Sequence, residues 1–528
     1  MPPRGAQDAQ DAQDAQDAQD AQDAPILVVG AGPTGLVLAL ELVLGGARVR
    51  IIDRASGPGT ASRAMAVHAR TLELYDRFGL ADEVVSRGIR VHKGHLFEHG
   101  VAVALIDIGN FGKGLSPYPF VLSFPQDEHE AVLGERLRRE GIEVEWNTEL
   151  VSFEDRGPLV RARLRGPHGE ESMDTAWLCG CDGAHSAVRE GLGVAFPGGT
   201  YRQAFFVADI EASGPGTDGD LNFCLDADAL CLVFPIRSSG RFRLIGLIPK
   251  PLEGREHVTL EDVRPYVEQL IGIRVGREMW FSTYQVHHRV AATFRRGRVF
   301  LAGDAGHIHS PAGGQGMNTG IGDAVNLGWK LAAVATGRAD TRILETYEPE
   351  RIVFARTLVA TTDRLFTGIT SRGVAGRTIR RLLLPHIIPL LLRFGWFRRL
   401  AFRTISQIRI EYRGSALSSG SAGAVRGGDR LPWIAPLDNF RSDGLPDWHL
   451  QVYGTVSPML AATAASYGVH LRTFDWDDAA AGAGFVRDAL YLVRPDGYLA
   501  LVDSKQDENA LLQYLSRFSI VPRGAART

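Results

Sequence analysis

A four-residue apolar run, Ile26-Leu-Val-Val29, passes directly into Gly30-Ala-Gly32-Pro-Thr-Gly35, and this junction restricts the fold more than any other feature of the chain. An unbroken apolar run of that length marks a parallel strand buried on both faces. The segment after it, Leu36 to Leu44, predicts an apolar helix stopped by Gly45-Gly46, and a second strand, Val49 to Ile52, ends at Asp53. The order is strand, glycine-rich turn, helix, strand, with G-x-G-x-x-G in the turn. Gly30 permits the tight turn, Gly32 lets backbone N–H groups approach a pyrophosphate, and Gly35 lets helix and strand pack closely. The helix N-terminus adds its partial positive charge. Asp53 stands 18 residues after Gly35, where a carboxylate can bond both ribose hydroxyls and repels a 2′-phosphate. The resident dinucleotide is therefore FAD or NAD, not NADP.

Two later motifs choose between them. One is Cys179-Gly-Cys-Asp-Gly-Ala-His-Ser-Ala-Val-Arg189. The other is Gly303-Asp-Ala-Gly-His307-Ile-His-Ser-Pro-Ala-Gly313-Gly-Gln-Gly-Met-Asn318. The second follows a strand-like run, Arg298 to Ala302, so Asp304 falls at a strand's C-terminal edge, where α/β ligands bind. Gly313 to Asn318 should leave backbone N–H groups free ahead of a helix over Asp323 to Ala335. Free amides at a helix N-terminus stabilise negative charge, which reduced flavin carries at its N1–C2=O2 edge. The stretch suits an isoalloxazine ring, with Asp304 on the ribityl hydroxyls.

In this order the motifs at Gly30, Asp182-Gly183 and Gly303-Asp304 resemble those of the class A flavoprotein aromatic hydroxylases, a family that includes para-hydroxybenzoate and phenol hydroxylases. The resemblance runs from Pro25 to about Arg364. It implies an FAD site drawing on Gly30, Gly32, Thr34, Gly35, Asp53, Arg54, Arg63, Gln126, Leu150, Asp182, Asp304, Pro311, Gly314, Gly316, Met317 and Asn318. Arg63 matches the arginine that reaches FAD, Gln126 the glutamine on the ribityl chain, and Leu150 a residue whose backbone lies by the adenine. The D-G motif serves FAD and the nicotinamide cofactor alike, and Asp182 also suits the N-cap of the helix after it. Tyr347-Glu-Pro-Glu-Arg351 reads as a structural helix start. Gly306 replaces the family's second alanine, and Asp53 is one methylene shorter than the common glutamate.

The fold expected is α/β: a discontinuous Rossmann-type FAD-binding domain, an inserted, mostly antiparallel substrate-binding sheet and a C-terminal thioredoxin-like α/β domain. FAD-domain segments are 25–90, 126–200 and 291–365, and the substrate domain takes 91–125 and 201–290. A helical connector covers 366–414 and the last domain 415–528. Within that domain Ser415 to Gly428 reads as a linker or loop, and Pro495-Asp-Gly497 as the turn of a hairpin. No cysteine follows Cys231, so dithiol chemistry is excluded there, leaving a structural or homodimer-contact role.

The resemblance implies that NADH or NADPH reduces FAD, that O2 adds at flavin C4a, and that the hydroperoxide hydroxylates an electron-rich aromatic substrate. A base or hydrogen-bond acceptor for the substrate phenol is expected. Tyr201, Tyr284, His287, His288 and Arg289 are candidates by residue type, and no catalytic residue is assigned. A Baeyer–Villiger-type or tailoring oxygenase on a polycyclic or polyketide substrate would use the same cofactor. A non-catalytic flavin-fold binding protein has only the segment Leu382 to Leu392 in its favour. The halogenase signature W-x-W-x-I-P is absent.

Composition sets outer limits. A net charge of −3 over 528 residues argues against nucleic acid as partner. Four cysteines without a C-x-x-C pair point to a reducing, cytoplasmic setting. His307 and His309 lack a carboxylate-rich context, so no metal is assigned. Residues 1–24 repeat Ala-Gln-Asp and read as a disordered acidic tail. The greasiest stretch, 380–393, is shorter than the ~20 apolar residues of a membrane span and holds Pro385 and Pro389. It reads as two short buried helices with basic ends.

Overall fold

A computed structural model of the chain describes residues 24–524 apart from 60–63, 99, 216, 226–228, 237–239, 312, 371–372 and 441–445. The repeat over 1–23 and Arg63 lie outside the described residues. The chain is a mixed α/β protein with three principal sheets.

The first is the sheet that the opening motif demands. Ile26–Val29 lies between Leu178–Gly180 and Val49–Ile52, parallel to both, with Val28 opposite Cys179 and Ile51. Val144–Glu145 extends one side. Val299–Leu301 extends the other, with the short antiparallel Arg295–Arg296 at the edge. All four residues of Ile26–Val29 are buried, as an unbroken apolar run requires. This order brings the turns after Val29, Gly180 and Leu301 to the same edge of the sheet. The three motifs, spread over some 290 residues of sequence, are neighbours for that reason.

The second sheet has eight strands. In spatial order they are His307–Ile308, Arg274–Val290, Gly198–Ser213, Arg241–Leu247, Leu230–Pro235, Leu221–Leu225, Lys93–Glu98 and Val101–Asp107. Every pairing is antiparallel except that of Leu221–Leu225 with Lys93–Glu98. Its outer face packs on the helix Leu260–Ile271 through Phe206, Ala208, Ile210 and Leu244. Its inner face carries Phe205, Leu247, Tyr284 and Val286 against Phe366 of the long helix Tyr347–Thr370. That helix runs through residue 365.

The third sheet, near the C-terminus, mixes parallel and antiparallel pairs over Val425–Arg426, Ser419–Ala422, Leu499–Asp503, Leu490–Val493, His449–Tyr453 and His470–Phe474. The hairpin at Pro495-Asp-Gly497 is present, with Leu492 opposite Leu501. Part of the stretch expected to be a linker or loop is a strand: Ser419 and Gly420 pair with Leu501 and Val502. Gly420 has φ +74°, and a Cβ there would meet Val502 O at 2.0 Å, so glycine is required by a close strand approach and not by flexibility.

The helices expected to be buried over 380–393 are on the surface. Residues Ile388–Leu391 contain no buried side chain, and Ile387, Leu390 and Phe394 are exposed. Apolar composition alone did not reveal that these side chains stay exposed.

The C-terminal sheet is fastened to the first one by buried charge. Glu350 accepts from Lys330 Nζ at 2.8 Å and from Arg494 Nη1 and Nη2 at 2.8 and 2.9 Å. Arg494 also binds Asp496 at 2.6 Å, and Asp496 accepts from Trp329 Nε1 at 3.0 Å. The two cations hold Glu350 far below the usual carboxylate range, and burial lowers Lys330 to about 8. Removing one partner from such a cluster leaves uncompensated buried charge. Arg494→Met should therefore lower stability by about 3–5 kcal/mol, read as a shift in the midpoint of equilibrium unfolding in urea. An unchanged midpoint would refute the fastening role.

Candidate active site

The three motifs touch one another, and their glycines mark the contacts. A Cβ on Gly30, at φ +103°, would lie 2.4 Å from Cys181 O, and one on Gly35 would lie 1.9 Å from Gly30 O. Thr34 Oγ1 would be 2.5 Å from a Cβ on Gly303 and 2.4 Å from one on Gly320. Thr34 is thus the side chain on which the first and third motifs pack. Arg189 joins the second to the third: Nη1 donates to Ala305 O at 3.1 Å and Nη2 to Ala184 O at 3.0 Å. Gly32 differs from Gly30 and Gly35 of the same turn, because a Cβ there would meet nothing within 4 Å. The protein leaves open the side from which a pyrophosphate would approach.

Asp53 Oδ2 accepts the Ala31 N–H at 2.7 Å and Oδ1 the Ala55 N–H at 2.8 Å. Lone pairs remain for hydroxyl donors, since a carboxylate offers about four acceptor positions. Arg54 beside it is exposed. Asn147 and Thr148 donate to Ala55 O and Asp53 O, which draws the strand bearing the buried Leu150 alongside. Gln126 opens the helix Gln126–Arg139; its Nε2 donates to Glu130 and its Oε1 accepts the Ala64 N–H. Asp182 Oδ2 accepts the Val188 N–H at 3.2 Å, while Ser186 is the actual N-cap of the next helix. Asp182 Oδ1 is buried without a hydrogen-bond partner among the described residues, and burial raises its carboxyl. Asp304 lies exposed in the turn Gly303–Ala305.

The helix expected from Asp323 begins seven residues earlier, as Gly316–Ala335. Glycine content argued against helix there, and tertiary packing overrides it. The Asn318 amide makes four bonds: Nδ2 donates to Ala66 O and Gly314 O, and Oδ1 accepts from His68 N and Thr71 Oγ1. With its side chain spent, what Asn318 offers a ligand is its backbone. The N–H groups of Gly316, Met317 and Asn318 fall in the first helical turn, where no intrahelical acceptor exists. Gly314 adjoins this turn, and Pro311 is exposed at the start of the loop.

Several residues were invisible to the sequence reading. Asp323, fully buried, accepts the Gly303 N–H at 3.0 Å, His307 Nε2 at 2.6 Å and Arg351 Nε at 2.6 Å. Arg351 and His307 keep it ionised, below the usual carboxylate range. His68 Nε2 lies 2.8 Å from Gly313 O, and His309 Nδ1 lies 2.8 Å from Ser310 O. A carbonyl only accepts, so each of these nitrogens carries the proton. The opposite nitrogens, His68 Nδ1 and His309 Nε2, are acceptors without a hydrogen-bond partner among the described residues. Burial lowers both rings to about 4, so they are neutral near pH 7.

Above the loop, Tyr201 and His288 meet on the inner face of the eight-stranded sheet, with ring centroids 4.8 Å apart. Both face Asp363 of the helix Tyr347–Thr370: Tyr201 donates to Oδ1 at 2.5 Å, and His288 Nδ1 is 3.8 Å from the same oxygen. The other candidates go elsewhere. Tyr284 stacks beside Phe205, and His287 accepts or donates at Thr200 and feels the charges of Arg289 and His185. Asp363 had no motif around it to single it out.

Open space at Gly32, free helix-terminal amides and buried acceptors at Asp182 and His309 suit a dinucleotide rich in O–H and N–H donors. Comparison with known proteins decides which. Residues 23–362 match the FAD binding domain family. The chain belongs to that family. A 6-methylpretetramide 4-monooxygenase from Streptomyces rimosus is 33% identical over 544 residues, covering 95% of this chain and 94% of that protein. Pentachlorophenol 4-monooxygenase from Sphingobium chlorophenolicum is 33% identical over 425 residues, covering 78% and 75%. Among solved structures, a ternary complex of aklavinone-11 hydroxylase with FAD and aklavinone superposes with a TM-score of 0.76 at 26% identity, covering 94% of this chain and 98% of that one. The chain is a flavoprotein monooxygenase of the aromatic hydroxylase class, with FAD as cofactor and NAD(P)H as co-substrate.

Two outcomes follow from this geometry. Gly32→Ala should fold with an unchanged melting temperature but hold FAD about tenfold more weakly, which is ~1.4 kcal/mol. Gly30→Ala should fail to fold stably, because its Cβ strikes backbone. Melting curves and visible flavin absorbance of the purified variants separate the two, and equal FAD retention in Gly32→Ala would refute the assignment of the open side. The second concerns His68. Its folded pKa is lowered, so the unfolded chain binds more protons between about 4 and 6.5. Its contribution is complete above 6.5 and is lost as pH falls towards 4. Thermal stability of the holoenzyme should drop across that window, and His68→Gln should flatten the slope.

Proposed function

We propose that the protein hydroxylates a polycyclic phenol, and that Asp363, Tyr201 and His288 bind and deprotonate the substrate hydroxyl. The convergence of these three polar groups within an otherwise aromatic wall carries the reading. Tyr201, Phe205, Val286 and Phe366 form that wall. The strand bearing His288 pairs at its end with His307–Ile308, the residues that lead into the glycine-rich loop. Names of relatives that act on fused-ring substrates support a polycyclic skeleton.

FAD, when bound, accepts a hydride from NAD(P)H and activates O2 for transfer of one oxygen atom. The cofactor-binding residues are those of the three motifs: Gly30, Gly32, Gly35, Asp53 and Arg54 in the first segment, Asp182 in the second and Asp304 in the third, with Pro311, Gly314, Gly316, Met317 and Asn318 in the loop. Thr34 acts by packing; Arg63, Gln126 and Leu150 complete the set. First-turn amides of Gly316, Met317 and Asn318 place positive partial charge where reduced flavin is negative. Asp363 Oδ1 and His288 Nδ1 are 3.8 Å apart, so a substrate hydroxyl can donate its one proton to His288 Nδ1 while the carboxylate faces the ring that receives it. That proton passes to His288 Nδ1, and the imidazolium faces the Asp363 carboxylate while Tyr201 fixes that carboxylate's orientation. The phenolate ring is then electron-rich enough for electrophilic oxygen transfer. Arg289 supplies the positive charge for the nicotinamide cofactor's phosphates; burial, and then that charge, lower the neighbouring His287 ring. The C-terminal sheet is thioredoxin-like and structural, or a homodimer contact. Four free cysteines fit a cytoplasmic setting.

The test is oxidation of NADH and NADPH by the yellow holoenzyme with a panel of phenols and polycyclic phenols, including alizarin. Stimulated oxidation with a product heavier by one oxygen atom is expected. Bound FAD with no stimulation by any phenol would overturn the reading. Asp363→Asn and His288→Asn should lower hydroxylation about 10²-fold and raise the pH at which bound alizarin ionises, leaving FAD content unchanged.

A further inference from the structure

The segment over residues 364–410 has a composition unlike the rest of the chain, and its Arg364, Arg393, Arg398, Arg399, Arg403 and Arg409 are exposed. It holds ten arginines, no lysine and no acidic residue, in a protein whose net charge is −3. Within it the helices Ile379–Ile387, Ile388–Leu391 and Gly395–Ile405 follow one another. Their exposed apolar side chains are large: Trp396 is 65% exposed, Leu390 53% and Phe394 52%, with Ile387 and Leu400 also open. The edge strand Val101–Asp107 packs beside the first two of these helices and adds exposed Val101 and Leu105. A contiguous patch of this kind on a protein surface marks a binding face.

The last helix shows how it is oriented. Phe402 is buried against Ala69, Ile408, Phe111, Leu115 and Tyr118, and fixes one side inward. Trp396, Arg399, Leu400 and Arg403, at i, i+3, i+4 and i+7, are all exposed and form one stripe. Arg393, Arg398 and Arg399 are exposed around the aromatic tip formed by Phe394 and Trp396. Tryptophan, phenylalanine and leucine ringed by arginine are the residue types that settle at the boundary between headgroups and acyl chains. No helix among the described residues is long and apolar enough to cross a membrane, so the face can only lie on one.

We infer that residues 383–403, with the edge strand Val101–Asp107, form a docking surface for an anionic phospholipid membrane. The excess of arginine over the whole segment selects that occupant: a second copy of the chain would set the same positive face against itself. Docking would place the protein where fused-ring, apolar compounds accumulate, although the inference stands on the surface alone.

The experiment is sedimentation of the full-length holoenzyme with vesicles of phosphatidylcholine alone or mixed equally with phosphatidylglycerol. At least tenfold stronger partitioning onto the anionic vesicles is expected, weakening as salt screens the charge. Trp396→Ser should reduce binding severalfold, and the pair Arg398→Glu with Arg399→Glu should abolish it. Arg398→Lys with Arg399→Lys should retain it. Unchanged FAD absorbance and melting temperature would show that these exposed positions leave the fold intact. Equal binding to both vesicle types, or none, would overturn the inference. So would a concentration-dependent dimer that the same substitutions dissociate, since it would give the face to a second copy.

Discussion

Asp323 is a carboxylate with no solvent access, and the active site is assembled around it. It bonds the backbone of Gly303, the ring of His307 and the guanidinium of Arg351. Gly303 belongs to the turn that carries Asp304, and His307 to the short strand just after it. The third comes from the long helix, and Arg351 in turn bonds Thr319 O and the Tyr412 hydroxyl. One buried charge thereby sets the turn, the first turns of the helix after the glycine-rich loop, and the chain leading into the C-terminal sheet in fixed relation. An unpaired carboxylate in that position would cost far more than the pairing returns, so the arrangement is nearly all-or-none.

The same logic holds one turn away. Glu350 binds Lys330, Asn326, Arg494 and Ser415. Asp496 binds Trp329, and Arg70 donates to the Asp496 carbonyl. Glu73, next to Arg70, takes Arg430 from the C-terminal part. Helix Gly316–Ala335 is therefore gripped from both ends: Asn318 and Asp323 hold its first turns to the cofactor motifs, and Trp329 and Lys330 hold its later turns to the C-terminal sheet. A sheet far from the three motifs in sequence thus stiffens the helix that follows the glycine-rich loop.

Glycines record how closely the motifs meet. Gly30, Gly35, Gly303 and Gly320 are required because backbone or Thr34 occupies the place of a side chain, whereas Gly32 is required because nothing does. Identical residues in one motif thus do opposite things. The wall of the eight-stranded sheet makes a related point. Tyr201, Tyr284, His287 and His288 were equivalent as residue types, and only the pairing register and the approach of Asp363 distinguish them.

Local sequence was enough for the strand–turn–helix–strand unit, the C-terminal hairpin and the positions of the three motifs, because each depends on apolar period, glycine placement and turn chemistry within a few residues. The same reading missed the early start of the helix at Gly316, took Ser415 to Gly428 for a linker or loop, and buried the helices over 380–393. Each error concerns long-range contact: Asn318 and Thr34 hold the glycine-rich turn helical, Val502 recruits Gly420 into a strand, and Leu390 and Trp396 stay exposed. Spacing along the chain narrowed the cofactor to FAD or NAD, and the family match decided for FAD. The Asp323 hub, the meeting of Asp363 with His288 and the exposed basic face were decided only by tertiary structure, since their partners lie tens to hundreds of residues apart and carry no local pattern.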